Sequence, residues 1–473
     1  MQRSEIRDLV CGTAMSGLVL LSGCGSNSTQ STSPGMIVNT LTVPGISSAV
    51  TYSFDLGAFD PATNKYYVTD RTNRAIDVVD LNNGMAVTQF KPTGAGAFAG
   101  CAGTEYSAPN ATRADNVPIP TCTSTSGANA SGTSAPGTVY PMFFVQNDQS
   151  GPDGVDVVGN TLFVGDVNKL VVLNKTTGAV IASIPIASTP TGLRADEGCF
   201  DPVNHLYAIS TPGDNNPFMT ILDTTATEAT GAAPTVKARL IMDNPAGTAS
   251  GGLEACVFDT GPGGTGKLFV NNDGNNNPAA PAGASRGEMD GIPATSLTPL
   301  TGGGNVQYTT LAGVSQYVLP DVVGVAGQCD PTGIALGPGS DIGAMCRTGT
   351  IGRSLNFLIL NKTTGAVAAT VVGAGGGDQI TYDAGSGNWF LGTSRMTTSA
   401  TSCAGGSTAC PLTPMVTIVN GASRALAGKV PAGNNSHSIA TGGGLVFSPF
   451  TNTSATGGGV GFPNGGIAVF LTQ

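Results

Sequence analysis

The sequence predicts an all-β fold: a single seven-bladed β-propeller whose last blade is closed by a strand from the N-terminal side. Three observations carry this reading. One sequence unit recurs seven times, and short alternating strands separated by turn residues fill each copy. The final unit also runs out of chain one strand early, while a strand-like segment near the N-terminus belongs to no unit.

Composition sets the frame. Of 473 residues only 11% are charged, 40% are hydrophobic, and Gly and Pro number 69 and 30. A chain of this length with this apolar content buries a substantial core. Sparse charge with many turn formers favours short strands over helices. The net charge of -10 repels phosphates, and no run of Lys or Arg offsets it. Nucleic acid is excluded as a partner on that ground.

Residues 1–23 read as an export signal. Arg3 and Arg7 precede an apolar stretch from Leu9 to Leu21 that is too short to span a bilayer. It ends in "LSGC", Leu21 to Cys24, which resembles the lipobox of bacterial lipoproteins. The resemblance implies that Cys24 becomes the lipidated first residue of an exported, membrane-anchored protein at the periplasm or cell surface. The membrane is then touched only through the lipid. Residues 24–35 form a polar linker, and the propeller is expected over 36–473.

"MIVNTLTVPG", Met36 to Gly45, is the unassigned strand. The first unit follows: "DLGAFDP" from Asp55, then "KYYVTD" and "AIDVVDL", each bounded by Asx, Pro or Gly turns. "DEGCFDP" from Asp196 repeats its opening almost letter for letter. Further copies start at Asp153, Glu254, Thr332, Asp378 and His437, and "LNKTTGAV" occurs verbatim at Leu173 and Leu360. The last copy ends in "GGIAVFL". Adding Met36–Gly45 to it closes the ring and removes two open sheet edges. Between the first two units, about 93–140 is an insertion: a Cys-bounded loop followed by low-complexity sequence.

"NKYYVTDRTNRAIDVVDLNNG" resembles the YVTN-type β-propeller repeat, related in shape to NHL repeats. The resemblance covers Val50 to the C-terminus. It implies the fold but not a function, because propellers host binders, hydrolases, lyases and redox enzymes.

Beyond Cys11 in the leader and Cys24, eight cysteines remain, an even number that fits disulfides in an oxidising compartment. Nearest neighbours pair as Cys101–Cys122, Cys329–Cys346 and Cys403–Cys410. Cys199 and Cys256 hold nearly the same repeat position in adjacent blades, so they either bridge neighbouring inner strands or remain buried thiols. Without a C-x-x-C pair, cysteine-bound metal and haem attachment are not expected. The "GGG" clusters lack the Lys and helix of a phosphate loop, so no nucleotide is expected either.

Aligning the units on the apolar residue before Asp-Pro puts one residue in register four positions earlier. Asp55, Asp153, Asp196, Glu254, Asp378 and His437 occupy it, and the fifth unit is ambiguous between Asp330 and Thr332. Inner propeller strands face the central channel, so these residues are expected to ring a funnel. Crowded carboxylates repel, which raises some pKa values or attracts a cation. Asp196, Glu197, Glu254 and Asp378 are the candidate ligands for Ca²⁺ or another divalent cation. His437 and Glu197 are the candidate catalytic groups. A structural reading competes: Asp at the start of a strand accepts backbone N–H bonds, and repeats copy such devices in every blade.

Two classes of function fit. One is an extracytoplasmic binding or scaffold module that holds a cation in its funnel and takes a protein or small-molecule ligand on the propeller face. The other is a metal-dependent hydrolase or lyase resembling gluconolactonase-type propeller lactonases, whose Asn ligands have no residue-by-residue match here. The signals favour a binder over an enzyme.

Overall fold

Asp60 shows why the recurring unit folds as it does. Its carboxylate accepts hydrogen bonds from the Ala62 N–H at 3.0 Å and the Thr63 hydroxyl at 2.6 Å. The Pro61 ring pre-sets the first turn residue, and Asn64 takes the left-handed conformation at φ 53°. The chain then returns antiparallel. Asp201 repeats the device, accepting from Val203 and Asn204 N–H groups, with His205 at φ 55°. "LNKTTGAV" is a second such device: Asn174 and Asn361 each accept two N–H bonds, and Gly178 and Gly365 sit at φ 70° and 72°.

The computed structural model describes residues 35–47, 52–99, 151–186, 194–212, 217–242, 252–272, 287–320, 329–346, 355–397 and 411–473, together with the backbone of four short strands between 111 and 141. Seven sheets succeed one another as blades. Their innermost strands are Phe54–Asp60, Val155–Val158, Gly198–Asp201, Leu253–Asp259, Pro331–Leu336, Ile380–Asp383 and Ala440–Gly442. Within each blade the strands run antiparallel from the centre outward. Second strands such as Thr161–Asp166 and Leu206–Thr211 are buried along their whole length, because a blade is covered on both faces.

Cores lie between blades rather than within them. Each of the seven neighbouring pairs shares a hydrophobic cluster, including the seventh and first, where Phe447, Ile467 and Val469 meet Phe54, Tyr66 and Val68. Trp389 is a blade-core residue, fully buried between the fifth and sixth blades. Gly337 and Gly343 make room for it: a Cβ at Gly337 would stand 2.0 Å from its ring.

Closure follows the expected route. Ile37–Leu41 is the outermost strand of the seventh blade, antiparallel to Gly466–Leu471, with Ile37 opposite Phe470 and Leu41 opposite Ile467. One feature departs from the four-strand pattern. Gly304–Gln307 leaves the fourth blade and adds a parallel fifth strand to the third, beside Thr235–Ile241.

Cys329–Cys346 is bridged as expected, tying the start of the fifth blade's inner strand to the end of its second. Cys199–Cys256 is bridged too, the first of the two alternatives, and it links the innermost strands of the third and fourth blades. The 1–23 leader, Cys24, Cys101–Cys122 and Cys403–Cys410 lie outside the described residues. In the 93–140 insertion, Ala111–Thr112 pairs with Pro118–Ile119 and Thr121–Thr123 with Val139–Pro141. The first part of the insertion is fastened to the second blade: Asp166 accepts from the Ala99 N–H, and Lys169 donates to the Ala97 carbonyl at 2.6 Å.

Candidate functional site

Strand register decides which residues enter the ring. Phe54 pairs with Asp70, Leu253 with Asn272 and Pro331 with Cys346, each next to a register shift. Asp55, Glu254 and Thr332 are therefore equivalent. The fifth blade contributes Thr332, whose hydroxyl donates to the carbonyls of Gly377 and Met345. Asp330 lies outside the position because it precedes the strand.

Asp55, Asp153 and Asp196 come together, with one oxygen from each within 4.8 Å of the others. Asp196, Glu197 and Glu254 form a second such group. All five are buried. Asp378 belongs to neither group and stands 3.6 Å from Arg395 Nη1.

Two arginines that sequence reasoning missed compensate part of the ring. Arg71 Nε lies 3.1 Å from Asp153 Oδ1, its Nη2 reaches both Asp55 and Asp153, and its Nη1 donates to the Phe54 carbonyl at 3.2 Å. Arg194 Nη2 stands 2.8 Å from Asp196 Oδ2. The available signal was a departure from the repeat. Arg71 follows "KYYVTD" in the first unit, where the third unit has Pro212 after "LYAIST".

His437 joins the seventh blade to the first. Its Nε2 lies 3.0 Å from Asp55 Oδ1, its Nδ1 lies 2.6 Å from the Asn435 carbonyl, and its ring stacks on Phe54. Both ring nitrogens face oxygens, so neither lone pair is open to a metal or to a substrate proton. His205, the other histidine, pairs with Glu228 on the surface.

Protons divide unevenly over this cluster. Burial raises the Asp55 carboxyl, but Arg71 and then His437 outweigh it, so Asp55 is held below its usual range. Burial drives Asp153 well above that range, with Arg71 opposing and Asp55 and Asp196 reinforcing. Asp196 is pushed up to about 7, by burial first, against the pull of Arg194. Glu197 rises well above its ordinary value through burial and then through Asp196, Glu254 and Asp378. No hydrogen bond or ion pair relieves the Glu197 carboxyl among the described residues.

Glu197 also lines a central cavity of about 270 Å³ that runs below the ring between the inner strands. Asp156, another residue sequence reasoning missed, lines it as well. It accepts a 2.7 Å hydrogen bond from the Tyr207 hydroxyl and is raised to about 7 by burial. Gly198 makes that contact possible, since a Cβ there would meet the Tyr207 oxygen at 1.9 Å. Gln379, which breaks the repeat as Glu197 does, has a structural role. Its Nε2 donates to the Gly57 carbonyl at 2.8 Å, and its Oε1 accepts from the Ser438 hydroxyl and the Ile439 N–H. It thereby spans the sixth, seventh and first blades.

No protein-family model matches the chain, and no curated protein matches it. Among solved structures, a chain of the Kuenenia stuttgartiensis hydrazine synthase matches with TM-score 0.52 and 11% identity, over 88% of this chain and 96% of that one. A chain in the crystal structure of a mitotic checkpoint complex matches with TM-score 0.49 and 10% identity, over 97% and 98%. One in the nidogen/laminin complex matches with TM-score 0.35 and 13% identity, over 68% and 80%. At these identities the likeness to the hydrazine synthase chain is one of fold alone.

Proposed function

We propose that the protein is an exported, lipid-anchored binding module that holds a divalent cation in its funnel on Asp196, Glu197 and Glu254, with Asp378 at the edge. One observation carries the reading. Glu197 is only 6% exposed, its carboxyl has no protein partner among the described residues, and it sits between two further carboxyls. A hard cation suits a rigid group of oxygen donors and supplies the charge that one arginine on Asp196 leaves short. The Asp55–Asp153 side of the ring is served by Arg71 and needs no ion.

Export is supported by the lipobox-like leader and by two disulfides, which fit an oxidising compartment. Among the described residues no helix is long and apolar enough to cross a membrane. The hydrolase or lyase alternative needs a free base beside the cation. His437 has both nitrogens engaged and Glu197 is taken up as a cation ligand, and for that reason we take the binder.

A melting series with Ca²⁺, Mg²⁺, Zn²⁺ and chelator tests the cation. At one hundred times its dissociation constant the ion stabilises by about 2.7 kcal/mol, and Glu197→Gln removes the response. A wild-type melting temperature indifferent to every metal overturns the reading. For the anchor, Cys24→Ser moves the protein from the detergent phase to the aqueous phase; equal partitioning of both overturns lipidation.

A further inference from the structure

The central cavity offers hydrogen-bond acceptors without any positive charge of its own. Among the described residues two carboxyls line it, Glu197 and Asp156, and no basic side chain does. Among the described residues Tyr207 engages one oxygen of Asp156, leaving the other without a protein partner, and Glu197 has none for either oxygen. Gln379, the remaining polar side chain of the lining, uses both ends on neighbouring blades. The rest of the wall is hydrocarbon, from Leu56, Val155, Val257, Ile334 and Ile380, beside the Cys199–Cys256 bridge.

We infer that the channel binds a small organic cation, an ammonium head donating to Glu197 and Asp156 with a short apolar body against Leu56, Val257, Ile334 and Ile380. An ammonium carries three donors and no acceptor, which suits the unpaired oxygens of two ionised carboxylates. A cavity of about 270 Å³ lies just under the range of about 300–1,000 Å³ of ordinary ligand sites, so the body is a few carbons long. Glu197 is buried and Asp156 half-buried, and a cation beside them offsets the cost of holding charge there. The inference does not rest on the divalent ion of the funnel. Both guests use Glu197, so they compete.

The test is calorimetric titration of the purified chain with n-butylammonium chloride, in chelator, at about pH 8, above the value near 7 of Asp156. One saturable site is expected on the wild type and none for 1-butanol. Glu197→Gln weakens binding by about tenfold or more, the scale of one charge-assisted hydrogen bond. Glu228→Gln, a surface change, leaves it intact. Absence of butylammonium binding, equal binding of 1-butanol, or unchanged affinity in Glu197→Gln each overturns the inference. The butanol comparison needs no variant, so it holds even if Glu197→Gln folds poorly. A melting response to divalent ions without butylammonium binding leaves the funnel reading standing and removes this one; the opposite result does the reverse.

Discussion

Lys175 of the second blade reaches back to Asp60 of the first, with Nζ 2.9 Å from Oδ2 and both side chains buried. The second copy of "LNKTTGAV" does the same three blades later, where Lys362 stands 2.8 Å from Asp259 of the fourth blade. Each phrase is thus a turn and a clasp in one. Removing one partner of a buried pair strands the other charge, so Lys175→Ala is expected to destabilise by about 3 kcal/mol. The two clasps share no residue, and combining Lys175→Ala with Lys362→Ala should give nearly the sum. Denaturant unfolding of the single and double variants checks both statements.

Acid–base linkage gives an unusual stability profile. Asp196 and Asp156 sit near 7 and Asp77 near 6, all raised first by burial. A carboxyl whose folded value lies above its unfolded one contributes stability that is present below the unfolded value and lost as pH climbs to the folded one. The chelated protein should therefore lose stability between about pH 4 and pH 7 through these groups. Asp55, Asp60 and Asp223 are lowered and act with the opposite sign, at lower pH. Calorimetric melts across that range should show a slope that Asp156→Asn flattens; a wild type whose stability rises throughout contradicts the assignment.

The disulfides should differ in weight. Cys199–Cys256 closes a separation of 57 residues and Cys329–Cys346 one of 17. By loop-closure entropy their removal costs about 4 and about 3 kcal/mol. Serine pairs at each site, compared by urea midpoints, should reproduce that order.

Gln379 is expected to behave as a structural brace. Gln379→Leu leaves the acceptor at Gly57 and the donors at Ser438 and Ile439 without their partner, each a loss of about 1–3 kcal/mol where burial is complete. A stability unchanged by the substitution would remove the brace.

The blades were legible because repetition multiplies a weak signal. A single "FDPATNKYYVTD" is a hairpin; seven related copies are a ring. The closing strand was legible for the same reason, as the piece the last copy lacked. What stayed hidden depends on register and on single departures. The fifth ring position could not be chosen between Asp330 and Thr332 until the Pro331–Cys346 pairing fixed the register. Arg71 and Arg194 occur once each in their roles, so no periodicity marks them. Asp156 looks like one more polar residue in an alternating strand, and only Gly198 across the blade boundary, by admitting the Tyr207 hydroxyl, makes it part of the channel. The parallel strand Gly304–Gln307 is four residues long and carries one hydrophobic side chain, too little to announce a strand.

Closure by Ile37–Leu41 has a kinetic side. That strand is among the first parts of the propeller to be made, and its partner Gly466–Leu471 is among the last. The pairing has nearly the longest loop the chain allows, so its closure entropy is recovered only at the end of folding. Six blades and most of the seventh can stack while the outer edge of Gly466–Leu471 stays bare, and that edge is a template for any extended segment nearby. A chain stopped short of Gly466 would keep Ile37–Leu41 with nothing to pair against. Deleting 36–45 should thus do more than lower the melting temperature. It should convert slow refolding into intermolecular association, seen as a concentration-dependent loss of monomer.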